Sequence, residues 1–177
     1  MLWLAACEAA LGTDFGLAKL PGFMATADYY LHATGPTGLY FNYSDCGSGG
    51  GVTPAMYWFA SRRHEPALLW NEQRLLADTC AGRWQSDKGP DRFFPLLLVW
   101  AGAALKSQPP ATLRWVGQGT TPVAMFRSGW DDKAVYVAFK GGTPSASHAH
   151  MDIGTFVMDA DGVRWAEDFG MQNYHSL

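Results

Sequence analysis

The chain changes its apolar periodicity once. Leu4, Cys7, Glu8 and Leu11 share one helical stripe that Gly12 closes, which predicts a helix over 2–11. A second helix is predicted over 25–34, starting near Thr26 or Ala27 and closing at Gly35-Pro36; 39–43 reads as a short extended piece and 45–51 as a Gly/Ser loop. Further helices are predicted over 54–61, 65–79 and 92–105. Pro54 and Pro66 stand at or near helix starts, as does Pro90, where a missing N–H costs nothing. At Ser107-Gln108-Pro109-Pro110-Ala111 the helical spacing ends and period-two alternation with β-branched residues begins. Strands are predicted over 112–116, 123–130, 134–140, 153–158 and 163–167. Asp131-Asp132-Lys133 turns one hairpin and Ala160-Asp161-Gly162 another. The expectation is an α+β multidomain chain, helical over 1–108 and stranded over 109–177.

Composition narrows the class. At 177 residues with 48% hydrophobic and 16% charged positions, the chain can fill a core. The net charge of −3 carries no basic run, which argues against a nucleic-acid partner. No apolar stretch reaches the ~18 residues of a membrane span. Aromatics make up 14%, including 8 Trp, and serve equally for core packing and for stacking on sugar rings. Cys7, Cys46 and Cys80 lie far apart without C-x-x-C spacing and read as reduced, packed thiols.

The densest chemistry is Ser147-His148-Ala149-His150-Met151-Asp152. On an extended strand the two imidazoles and the carboxylate would share one face at ~6.6 Å intervals. A lone H-x-H is also met as one surface and one packed histidine.

The flanks sharpen the choice. Lys140-Gly141-Gly142-Thr143-Pro144-Ser145 precedes the pair, and Gly154-Thr155-Phe156 follows it. Gly162-Val163-Arg164-Trp165-Ala166-Glu167-Asp168-Phe169-Gly170 comes next, and upstream stand Gly35-Pro36-Thr37-Gly38-Leu39 and Asn42-Tyr43-Ser44-Asp45-Cys46. Over most of its length the chain resembles the heparinase II/III-like polysaccharide lyases. The resemblance implies the C-terminal end of an (α/α) toroid followed by the first strands of an antiparallel β-sandwich. It also implies β-elimination on a uronic-acid-containing acidic polysaccharide of the heparin, heparan sulfate or alginate kind, in the periplasm or cell envelope. His148 would contact the substrate carboxylate or assist proton removal, Tyr174 would be a mobile active-site tyrosine, and His150 with Asp168 would bind a structural zinc. The family's third zinc ligand falls beyond Leu177, and further catalytic groups come from helices before Met1. The chain is therefore expected to be a partial lyase, inactive alone and weak for zinc. If Asp159 pairs with Val163, Asp168 lies ~13 Å along the sheet from His150, so a bend at Gly154 or an incoming loop would be needed to join them.

Asn42, Tyr43 and Asp45 border the glycine-rich loop, where either substrate contacts or turn hydrogen bonds fit. Arg127 and Arg62-Arg63-His64 could lend a positive field to an acidic glycan, although a solvated arginine pair before a helix is commonplace. Two rival readings stand beside the lyase: a carbohydrate-binding module without catalysis, and a metal-dependent glycan hydrolase built on the H-x-H-x-D cluster.

Overall fold

A computed structural model describes residues 1–83, 92–102, 106–146 and 148–171. The chain divides into two compact units, one of Met1–Leu31 with Val52–Gln108, the other of His32–Gly51 with Pro109–Leu177. Residues 32–51 thus belong with the strands, whereas the periodicity alone places all of 1–108 with the helices.

In the first unit α1 (Leu2–Leu11) stops at Gly12, whose positive φ of 70° lets its N–H reach back to the Glu8 carbonyl. Helix α2 (Thr26–Ala33) runs out of this unit into the other. Helix α3 (Pro54–Arg63) begins on its proline and ends at His64, again with positive φ. The helix expected over 65–79 is a single 3₁₀ turn, Pro66–Leu69, leading into α4 (Trp70–Cys80). The helix expected over 92–105 is a 3₁₀ turn, Phe94–Leu96, with a short α5 (Leu97–Trp100). Pro95 removes a donor from its first turn, and Gly102 follows closely; residues 103–105 lie outside the described residues. Leu4, Leu31, Trp58, Leu68, Leu75 and Leu97 are among the buried core side chains. Arg62 pairs with Glu8 and Arg63 with Asp28 at 2.9 Å, so neither offers the free positive field considered above. Cys7 is packed as expected, whereas Cys46 and Cys80 are exposed and in no disulfide. Among the described residues no helix is long and apolar enough to cross a membrane.

Glu72 is buried here, and one carboxylate oxygen accepts the Thr53 N–H at 2.6 Å. Burial pushes its pKa from the ordinary 4.5 to about 8. The folded state therefore holds a proton that the unfolded chain releases. The stability linked to it is complete below pH 4.5 and lost as pH rises through about 8. Glu72→Gln, which keeps an acceptor for Thr53, is expected to flatten this slope in denaturant titrations. Above the folded pKa it should exceed the parent by roughly 2–4 kcal/mol.

The second unit is an antiparallel meander of β1 (Arg114–Gly117), β2 (Val123–Arg127), β3 (Tyr136–Lys140), β4 (Phe156–Ala160) and β5 (Val163–Ala166), in that order across the sheet. Ala160 pairs with Val163, not Asp159 with Val163. The hairpin closes through two residues, Asp161 (φ 53°) and Gly162 (φ 76°), both left-handed as a type I′ turn requires. Asp159 then faces Arg164 in regular register, and the bulge between Met158 and Asp159 sets Met158 against Ala166.

One sheet face is buried through Met125, Tyr136, Ala138, Lys140, Val157 and Asp159. Residues 32–51 are pinned by groups of this face. Arg127 donates to the His32 and Thr34 carbonyls, Tyr136 donates its hydroxyl to His32, and Arg164 donates to Leu39 and Tyr40. Asp159 pairs with Arg164 and accepts the Thr37 hydroxyl at 2.7 Å. Gly35 passes so close that a Cβ there would stand 2.2 Å from an Asp159 oxygen, so no larger residue fits without movement. The opposite face leaves Val116, Phe126, Phe139 and Phe156 exposed, with the rings of Phe126 and Phe139 stacked at 6.2 Å.

Candidate functional site

The H-x-H-x-D segment does not form the expected strand. β3 and β4 are joined at their ends by the Lys140 N–H on the Thr155 carbonyl and the Gly154 N–H on the Lys140 carbonyl. The chain between these points must turn, and His148 takes a φ of 56° and Gly154 one of 86°. His148, His150 and Asp152 therefore do not line one strand face. They are gathered from a loop.

Asp152 holds this loop. Its carboxylate pairs with the Lys140 ammonium and accepts the Ser44 N–H at 3.1 Å. Lys140 is only 1% exposed, sharing inward parity with Tyr136 and Ala138 on β3. Burial acts to raise the Asp152 pKa, but Lys140 and the Ser44 N–H outweigh it and hold the carboxyl below its ordinary value. The contact brings residues 42–46 against the histidine loop. Asp45 then receives both imidazoles, His148 Nδ1 at 2.7 Å on one oxygen and His150 Nε2 at 3.0 Å on the other. These hydrogen bonds, that of His148 foremost, lower the pKa of Asp45 and keep it ionised. The His148 side chain is 78% exposed, that of His150 29%.

Asn42 is buried. Its amide donates to the Asp168 carbonyl at 2.7 Å, and its Oδ1 has no partner among the described residues. Tyr43 lies half-buried next to it, its ring 4.9 Å from that of Phe41. Arg127 is placed otherwise than a substrate-binding cation requires. It is buried at the inward parity of Val123 and Met125, donates to backbone carbonyls and lies 3.5 Å above the Trp130 ring. Tyr174 falls outside the described residues.

His150 and Asp168 face separate partners. One Asp168 oxygen accepts the Thr155 hydroxyl and the other the Gly170 N–H, each at 2.7 Å, while His150 Nε2 is engaged by Asp45. Among the described residues no group of three or more His, Cys, Asp or Glu side chains is placed to hold a metal ion. His150 and Asp168 thus keep different hydrogen-bond partners in this arrangement.

The spacing of H-x-H-x-D locates one wall of this site but not Asp45 as the shared partner, because Asp45 and His148 stand 103 residues apart. The burial of Lys140 has a signal in its strand parity. No protein-family profile and no curated protein matches the chain.

Proposed function

We propose that the Asp45, His148 and His150 cluster belongs to the active site of a polysaccharide lyase that cleaves a uronic-acid-containing acidic polysaccharide by β-elimination. The observation that carries this reading is an exposed imidazole, His148, fixed through one ring nitrogen to an ionised carboxylate. Elimination needs such a group. The hydrogen on the carbon beside the sugar carboxylate is weakly acidic, and a base must take it as the double bond forms and the glycosidic C–O bond breaks. The departing oxygen needs a proton, for which the resemblance offers the phenol of Tyr174. Tyr43, half-buried beside the same loop, is suited to contact the sugar, whereas the buried Asn42 is placed to hold that loop to the Asp168 carbonyl.

On this reading the five-stranded sheet is one layer of a β-sandwich whose second layer covers Phe126, Phe139 and Phe156, and the helices end an (α/α) toroid that supplies further catalytic groups. The setting would be the periplasm or cell envelope. The test is incubation of the protein, as its gene encodes it, with heparin, heparan sulfate and alginate. Ultraviolet absorbance from unsaturated uronate supports the lyase. New reducing ends without that absorbance point to a hydrolase, and calorimetric binding without either product points to a carbohydrate-binding module.

A further inference from the structure

We infer that Asp45 is the positioning residue for His148, holding its imidazole in the Nδ1–H tautomer with Nε2 bare and turned to solvent. The inference rests on the lyase reading only for its catalytic consequence. Its basis is geometric. An ionised carboxylate accepts and cannot donate, so a ring nitrogen 2.7 Å from Asp45 Oδ2 must carry the hydrogen. The neutral ring then keeps its lone pair on Nε2, and no partner for that atom is present among the described residues. The same rule applied to His150, whose Nε2 sits 3.0 Å from the other oxygen, gives the opposite tautomer. One carboxylate thus imposes two different proton placements on imidazoles two residues apart.

The carboxylate is itself fixed. Ser44, its neighbour in sequence, donates its N–H to Asp152, and Asp152 is held by the buried ammonium of Lys140 at the end of β3. The sheet therefore sets the position of the loop, the loop sets Asp45, and Asp45 sets the ring. A bare Nε2 is the form that can take a proton from carbon, and the imidazolium so formed has a negative partner already in contact.

Nitrogen-15 spectra of the ring nitrogens, recorded at a pH where both imidazoles are neutral, read the tautomers without any variant. His148 is expected to show a protonated Nδ1 and a bare Nε2, and His150 the reverse. A His148 ring in the Nε2–H form, the one favoured by free imidazole side chains, would overturn the inference. Asp45→Asn places an amide that can donate to Nδ1, so it is expected to switch His148 to the Nε2–H form. In a lyase it should lower kcat by about 10²-fold or more with KM within about threefold. Elimination that proceeds unchanged in Asp45→Asn would defeat the positioning role and leave the lyase reading intact. Opposite tautomers without any unsaturated product would defeat the lyase reading and leave the positioning intact.

Discussion

Asp152→Asn is expected to destabilise the protein by about 3–5 kcal/mol, read as a fall in the urea midpoint, because it strands a buried charge. Lys140 is 1% exposed and Asp152 11%, so the ammonium has little water to turn to. The amide keeps the shape of the carboxylate and can still accept the Ser44 N–H, which confines the loss to the missing charge. Lys140→Met combined with Asp152→Asn removes both charges and is expected to recover much of the loss, since a buried ion pair replaced whole is often neutral in stability. A double variant no better than Asp152→Asn alone would show that the two groups are not coupled. The pH dependence has a definite sign. Asp152 is held below its ordinary pKa, so its stabilising contribution is present above the ordinary carboxylate range and is lost as pH falls through the lowered folded value. In the double variant the Ser44 N–H still meets an uncharged acceptor at residue 152, so the staple between residues 42–46 and the histidine loop is weaker but kept.

The second large effect separates chemistry from folding. His148→Ala is expected to lower the kcat for elimination by 10²–10⁴-fold, roughly the range of a lost general base. Its side chain is 78% exposed and its recorded side-chain hydrogen bond is to Asp45, so stability should change by less than ~1 kcal/mol. Asp152→Asn and His148→Ala thus predict opposite patterns, one losing stability first and the other losing turnover alone. Circular dichroism melts beside steady-state kinetics distinguish them, and a His148→Ala protein with full activity would remove the residue from the mechanism.

The meander was legible because β-forming runs at 123–127 and 136–140 are separated by turn residues, and the Asp161-Gly162 turn is written in its residue types. Strand parity puts Arg127 inside with Met125. Reading it as part of a positive field overlooked that its guanidinium could be satisfied by carbonyls of residues 32–34. Residues 32–51 could not be assigned to the sheet unit by pattern. What ties them there is mainly backbone oxygens accepting from Arg127, Tyr136 and Arg164, and an acceptor carbonyl leaves no mark in sequence. The H-x-H-x-D motif located the chemistry but misstated its geometry. Period-two spacing describes a strand, and Lys140 closes the strand pairing at Thr155, forcing the motif into a loop. That turn is also what lets His148 and His150 converge on one carboxylate instead of standing in a row.

The most direct test of this account follows ultraviolet absorbance during digestion of heparan sulfate and alginate by the protein as its gene encodes it, with His148→Ala in parallel. The account predicts growing absorbance from unsaturated uronate that His148→Ala reduces at least about 10²-fold. Cleavage that yields reducing ends without unsaturation, or unsaturation that proceeds unchanged in His148→Ala, would contradict it.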